Sequence, residues 1–563
     1  EDYKTIEITP SAPLVEINNG AKVTFYQSSV NNNLNNTGNG GGIRINDGVL
    51  TLNGGCNITG NLVNNGSEGG GVYVSENGTL NVNGEVRIDG NMANGISNNV
   101  YLSTVNQKIN INGGLTGNSH IGITKTAFPE NSGFTPIAFS ETVDQAAEAY
   151  RRGYFFDDKG MYAVVYDPSN PDLGPNTLYF GQTWVTHTNA KPTGFALDNI
   201  DSDEDLAWVI SMVNGFNGQT ANPNLNVTIT EDLNMSSYIW VPIGNSTHRF
   251  GGVFDGGGHQ INGLVCSMSG LGAVGLLGYV DGANAEVKNV FAMDATLEAP
   301  DQDYMGSIAG VVSGGATVHS CEGAFELHTS NVNTVMGGLV GLLDGGNIHS
   351  CISTANLNGY LMGGLVGQTR NGASIKNSYA YAGITYKGTG GHHIAGMVAD
   401  NKGTVENCYI RLRDSYDLNE ESFFVLADKN GGTVNQCYYA DGVTEDYGLY
   451  NTGNAPSNCD VYLPGTHPYT YNENYNRVGN KTTGDYLLDI LNDYAETNDM
   501  DTWFRSASDL NEDLPLLRFP NLASVSNVAG SPKFYYLNSL QAAFDKFGTE
   551  TTNNVYVDGS GTS

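Results

Sequence analysis

From Val274 to Cys437 the chain says nearly the same thing six times. The clearest copies are MGSIAGVVSGGATVHSC (Met305 to Cys321), MGGLVGLLDGGNIHSC (Met336 to Cys351) and MGGLVGQTRNGASIKNS (Met362 to Ser378). A weaker one, VGLLGYVDGANAEVKNV, precedes them at Val274 to Val290. IAGMVADNKGTVENC (Ile394 to Cys408) and FFVLADKNGGTVNQC (Phe423 to Cys437) follow. The closing positions Val290, Cys321, Cys351, Ser378, Cys408 and Cys437 stand 31, 30, 27, 30 and 29 residues apart. A period of that size means one supersecondary unit stacked on itself.

Each unit holds short apolar runs such as Gly338-Leu339-Val340-Gly341, with Gly, Asn and Asp at every corner. No stretch in it sustains the i, i+3, i+4, i+7 pattern of a helix. Strands and turns are what remain, and 27 to 31 residues are one coil of a parallel β-helix. Leucine-rich repeats of similar period need a Leu-x-x-Leu-x-Leu frame that is missing, while ankyrin and tetratricopeptide units need helices. The expected fold is all-β: a right-handed parallel β-helix in two segments with short helical caps.

Stacking about 4.8 Å apart turns equivalent positions into ladders. Asn289, Ser320, Ser350, Asn377, Asn407 and Gln436 form a polar column suited to a tight turn, where Asn tolerates positive φ. The closing column, mostly Cys, points inward. Strand alternation then directs Tyr379, Tyr381, Tyr409 and Tyr438 outward and Ala380 and Ala382 inward. The seven cysteines follow the repeat and show no zinc spacing. Parallel side chains about 4.8 Å apart suit stacked, buried thiols better than disulfides.

Gly fills 74 of 563 positions, about twice ordinary usage, as a turn at every corner requires. Acidic residues outnumber basic ones 58 to 25, a net charge of −33. That balance excludes nucleic acid and anionic membranes as partners, because both ask for a basic face. Neutral sugars or Ca²⁺ fit it. No apolar run reaches the ~20 residues of a membrane-spanning helix.

A second, different repeat fills the first third: GGGIRINDGVLTLNGGCNITGN (Gly40 to Asn61) and GGGVYVSENGTLNVNGEVRIDGN (Gly69 to Asn91), with a degenerate copy from Asn98 to Asn118. The period breaks over 119–181, where TVDQAAEAYRR (Thr142 to Arg152) reads as a short capping helix. Trp184 to Asp198 reads as linker, centred on Lys191-Pro192-Thr193-Gly194. IDSDEDLAWVISMVNGF (Ile200 to Phe216) opens the second segment with a capping-box-like start at Ser202, and YLLDILNDYAE (Tyr486 to Glu496) is a helix after it. The expected division is 1–190, a Gly-rich β-helix with its cap; 191–523, the second β-helix; and 524–563, the start of a further module. The chain reads as a processed fragment, with further domains of the same polypeptide beyond it.

The GGLVG cores at Gly337 to Gly341 and Gly363 to Gly367 resemble the GLUG-motif family of large bacterial surface and secreted proteins. So do WVPIGNSTHRFGGVFDGGGHQINGL (Trp240 to Leu264), IDSDEDLAW before it, and the TWF…LPLL stretch after the repeats. The resemblance covers about residues 200–520; Ala399 and Ala427 depart from it where the closing Gly should stand. The first segment is similar to the Gly-Gly-Gly repeats of autotransporter and polymorphic outer-membrane adhesins. Both resemblances imply extracellular or cell-surface display and adhesion. Some GLUG repeats accompany peptidases that cut immunoglobulin A through a separate zinc domain. This chain has no His-Glu-x-x-His, so that activity does not transfer.

Several residues are candidates for chemistry. The tyrosines 379, 381, 409 and 438 would form an aromatic strip for stacking on sugar rings, though Tyr is also an ordinary strand-surface residue. Arg370, His392, His393, Asp400 and Lys402 fall in corner loops of neighbouring coils and are the best enzymatic cluster, with loop decoration as the plain reading. Asp201 to Asp205 and Asp301-Gln302-Asp303 hint at Ca²⁺ without the spacing of a calcium loop. His319 and His349 share one repeat position and read as a surface ladder. No Asp or Glu column recurs with the period, as paired catalytic carboxylates would need. The expected function is therefore a non-catalytic adhesin or ligand-presenting protein for glycans or proteins. A polysaccharide lyase or glycosidase, and a purely structural stalk, are the alternatives.

Overall fold

Nearly every strand pairs in parallel with its equivalent one repeat away, as the period requires. The computed structural model describes residues 12–462 except 127–133, 171–172, 299–301, 388–392, 413–423, 441–447 and 458, with short pieces between 491 and 556. Strands make up 48% of the chain and helices 8%, and the parallel sheets form a β-solenoid of about 13 turns. Two compact units divide it. One is Glu1–His187 with Ser267–Gly270 and Ala299–Asp301; the other is the remainder.

In the first unit, Ile17, Ile45, Val74 and Leu102 stack in register, as do Leu52, Val82 and Ile111. All are at most 1% exposed. One corner is held by an internal amide ladder. Asn33 N–H donates to Asn61 Oδ1 (3.0 Å), Asn61 to Asn91 Oδ1 (3.0 Å), and Asn91 to Asn99 Oδ1 (2.9 Å). Each rung consumes the acceptor above it, so the last amide needs a terminator. Asp158 supplies it, accepting from the Asn99 backbone N–H (2.7 Å) and side-chain amide (2.5 Å) and from the Thr124 hydroxyl (2.8 Å). Phe134–Ser140 pairs in parallel with Ile109–Leu115 on one side and antiparallel with Thr177–Gly181 on the other. The helix expected near Thr142 spans Val143–Arg151, with Thr142 accepting from Gln145 N–H and Ala146 and Ala149 buried. Trp184 and Val185, assigned above to a linker, are buried, at 2% and 0% exposure. Their apolar bulk draws them into a packed element where composition alone suggested a tether.

The second unit opens on Asp203–Asn214, capped by Ser202 and closed by Gly215 at φ 80°. Leu206, Val209, Ile210 and Val213 are fully buried. Val287, Val318, Ile348, Ile375, Val405 and Val434 then make one inner column, and Met305, Met336, Met362 and Ile394 another. The expected turn column is found: Asn289, Ser320, Ser350, Asn377, Asn407 and Gln436 all sit at φ 47–54°. Asn407 Nδ2 donates to Asn377 Oδ1 at 2.9 Å, a bond up the stack. The seven cysteines are all buried, and burial raises the Cys351 and Cys437 thiols well above their ordinary range. Glycine recurs in the repeat for steric reasons. A Cβ on Gly338 would lie 2.1 Å from the Gly364 carbonyl oxygen and from Ser353 Oγ, and one on Gly337 would lie 1.8 Å from the Val340 carbonyl oxygen. Farther on, Ala523–Ser526 pairs antiparallel with Phe534–Leu537 and Asn554–Tyr556.

Candidate functional site

Register divides the expected tyrosine strip into two columns and burial removes most of it from solvent. Tyr379, Tyr409 and Tyr438 pair in one column, whereas Tyr381 pairs with Arg411 in another. Tyr379, Tyr409 and Tyr438 are 5%, 0% and 3% exposed, and the first two rings stack at 4.8 Å. Ala380 and Ala382 point inward as expected, so both faces of this wall are covered. The column is buried along its length, since it continues through Ile352, Glu322 and Phe291. An outer layer lies against the same corner. Asn407 Nδ2 donates to the Leu491 carbonyl (3.1 Å) and Asn435 Nδ2 to the Tyr494 hydroxyl (3.4 Å), and Leu491 and Ala495 are themselves buried. Only Tyr381 keeps partial exposure, under the Arg411 guanidinium 5.4 Å from its ring.

The remaining candidates are used locally. Asp400 Oδ2 accepts from Gln368 Nε2 (2.5 Å) and Lys402 Nζ (3.1 Å), and Arg370 donates to Gln368. That closes an ionic network along one wall. His392 lies outside the described residues, as does the side chain of His393. The acidic run at Asp201 crowns a helix N-terminus, where carboxylates are favoured. Asp203 accepts from Asn234 N–H (2.8 Å) and Asp201 from Asn199 Nδ2 (2.8 Å). Asp301 is outside the described residues. Among the described residues, no three His, Cys, Asp or Glu side chains gather as a metal site would need. His319 and His349 do form a ladder, their rings parallel within 5° and 4.8 Å apart.

An aromatic column that solvent does reach stands on the first unit. Strands Ile43–Ile45, Val72–Val74 and Val100–Leu102 place Arg44, Tyr73 and Tyr101 in register, with Glu16 one rung earlier and Thr124 one rung later. Strand alternation buries Ile43, Ile45, Val72, Val74, Val100 and Leu102 and leaves the central residue of each strand half-buried. The tyrosine rings stack at 5.6 Å, 11° apart. Glycine makes room beneath them: Gly40 and Gly69, at φ +83° and +75°, sit where a Cβ would lie 2.8 Å from Arg44 Cβ and 2.7 Å from Tyr73 Cβ. That is why the first glycine of each Gly-Gly-Gly is required. Around the rings, Arg44 Nε donates to Asn46 Oδ1 (2.9 Å), Asn46 Nδ2 to Glu16 Oε1 (2.9 Å), and Asn98 Nδ2 to Glu68 Oε2 (2.6 Å). Burial raises the Tyr101 phenol, and the nearby Glu68 carboxylate adds to the shift. The group therefore stays a neutral hydroxyl, able to donate and accept. Aromatic edges, phenolic oxygens, a guanidinium and two carboxylates suit a polar, hydroxyl-bearing ligand. Alignment of GGGIR, GGGVY and SNNVY would have exposed this column, since Arg44, Tyr73 and Tyr101 hold one repeat position.

Fold and surface together define a parallel β-solenoid that displays ladders of polar and aromatic groups. No protein-family model matches the chain, and no curated protein does. Among solved structures it is similar to a "putative immunoglobulin A1 protease from Bacteroides ovatus" at 14% identity, over 59% of this chain and 94% of that one, with a TM-score of 0.35. A likeness that slight says nothing of what this chain does. No helix among the described residues is long and apolar enough to cross a membrane.

Proposed function

We propose that the chain is a non-catalytic, ligand-presenting β-helix of the GLUG-repeat kind, displayed on or secreted from a bacterial cell, which binds glycans or proteins outside it. The observation that supports this reading is the half-buried Arg44–Tyr73–Tyr101 column with its Glu16, Glu68 and amide rim. Planar rings and fixed polar groups at rung spacing recognise a ligand without transforming it. Hydroxyls of a sugar pair with the rim, and its apolar C–H faces lie against ring edges. The test is a glycan array probed with the whole chain, followed by turnover assays on every hit. Tyr73→Ala with Tyr101→Ala abolishes binding, whereas Tyr381→Ala on the other unit leaves it intact. Cleavage of a bound glycan, or binding untouched by the double variant, refutes the reading.

A further inference from the structure

Apart from that column, a second ladder on the first unit turns aliphatic side chains outward. The short strands Leu34–Asn35, Leu62–Val63 and Met92–Ala93 pair in parallel and bring Leu34, Leu62 and Met92 into register. Their chain neighbours point inward: Asn33 and Asn35, Asn61 and Val63, Asn91 and Ala93 are all at most 4% exposed. Leu34, Leu62 and Met92 are 36%, 38% and 43% exposed. Large aliphatic groups left in water on three successive coils add little to the fold. Their recurrence at one repeat position marks a contact surface.

Two residues farther along each coil stand Asn36, Asn64 and Asn94, all exposed, as a parallel column of amides. Asn64 Nδ2 donates to Asn36 Oδ1 at 3.1 Å. Asn94 is tied to the turn beside it, accepting from Gly66 N–H (3.0 Å) and donating to the Ser67 carbonyl (3.1 Å). Among the described residues, these bonds leave the Asn36 side chain its donors and the Asn64 side chain its acceptor.

We infer that this aliphatic and amide stripe is a second site, for a linear glycan of N-acetylated sugars lying along the stack of coils. It shares with the reading above only the premise that the chain meets glycans, and uses none of the same residues. Three features select that occupant. The first is width: three side chains about two-fifths exposed offer far less than the ~800 Å² per partner that a stable protein interface buries, which argues against a second copy of the chain. The second is spacing. An extended peptide repeats side chains on one face every ~6.7 Å, out of step with rungs ~4.8 Å apart, whereas an extended pyranose chain advances by about one rung per sugar. The third is chemistry. An acetamido group lays its methyl against Leu34 and Leu62, donates its N–H to Asn64 Oδ1 and accepts from Asn36 Nδ2. Leu62 and Met92 repeat the apolar half of that contact one rung on. Neither column carries a charge, so the contact is indifferent to ionic strength.

A stripe this narrow gives millimolar affinity, too weak to survive the washes of an array, so it is measured at equilibrium. The whole chain carrying Tyr73→Ala and Tyr101→Ala, in which the tyrosine column no longer contributes, is titrated by saturation-transfer NMR with the N-acetylglucosamine trimer, one sugar per rung. Cellotriose, which lacks the acetamido groups, is the control. Burial of two acetyl methyls predicts roughly tenfold tighter binding of the acetylated trimer. Its methyl protons receive more saturation than its ring protons, and low and high salt give the same result. Leu62→Gln with Met92→Gln, both at outward positions, removes the preference; circular dichroism and a melt verify that this variant folds. Equal binding of the two trimers, no binding, methyl protons saturated no more than ring protons, or a preference that survives the stripe variant overturns the inference. So does a dimer in light scattering that the stripe variant disperses, which assigns the stripe to a second copy. Array hits that depend on Tyr73 and Tyr101 stand or fall independently of this result.

Discussion

Glu322 is the sharpest place to test how the second unit is packed. It occupies the same column as the buried tyrosines, between Phe291 and Ile352, and is 6% exposed. Thr354 Oγ1 donates to its Oε1 at 3.5 Å, a long bond that does little to hold a charge. Burial pushes the carboxyl from 4.5 up to about 7. Because the folded-state value lies above the unfolded one, the native state holds the proton more tightly. Stability attached to this group is thus fully present below about pH 4.5 and is lost as pH rises towards 7 and beyond. A difference of about 2.5 units at 1.36 kcal/mol per unit amounts to about 3 kcal/mol of destabilisation above neutrality. Glu322→Gln keeps the shape and removes the titration. The variant should match the parent near pH 4 and exceed it by about 3 kcal/mol near pH 8. Hydrogen exchange of the strands Glu322–His328 and Ile352–Ser353, followed across that range, reads the local effect without assuming that a chain of two units unfolds in one step. Equal protection of the two proteins at every pH, or a less protected variant above neutrality, would show that Glu322 is charged and compensated, and would sink the packing argument.

Two further substitutions probe other levels of the fold. Asp158→Ala strips the terminator from the asparagine ladder and leaves the Asn99 amides and Thr124 hydroxyl without their acceptor; the first unit should lose about 3 kcal/mol or more, seen as a lower urea midpoint for that unit. An unchanged midpoint would mean that water replaces the carboxylate without cost. Gly338→Ala places a methyl group 2.1 Å from the Gly364 carbonyl and should cost several kcal/mol by forcing the coils apart. Ala at solvent-facing Gly372, where a Cβ meets nothing within 4 Å, should cost only the strain of its positive φ, about 1 kcal/mol, so the two melting temperatures separate steric from conformational loss.

Sequence periodicity alone determined the architecture, because stacked coils force equivalent residues into contact. The turn column from Asn289 to Gln436, the inward cysteines and the His319–His349 pair were all legible as repeat positions. Each depends only on neighbours one period away. What the repeat could not decide was whether the outer face of a wall meets water. Alternation sets the direction of Tyr379, Tyr409 and Tyr438, but residues far downstream, at Leu491 and Tyr494, lie against the corner beside them. The same blindness hid Asp158, which no period links to Asn99. Tyr73 and Tyr101 were aligned in the sequence yet indistinguishable from any strand-surface aromatic, until tertiary packing covered the other column and left theirs in reach of solvent. Local spacing fixes which side chains stack; only long-range packing decides which stacks remain available to a ligand.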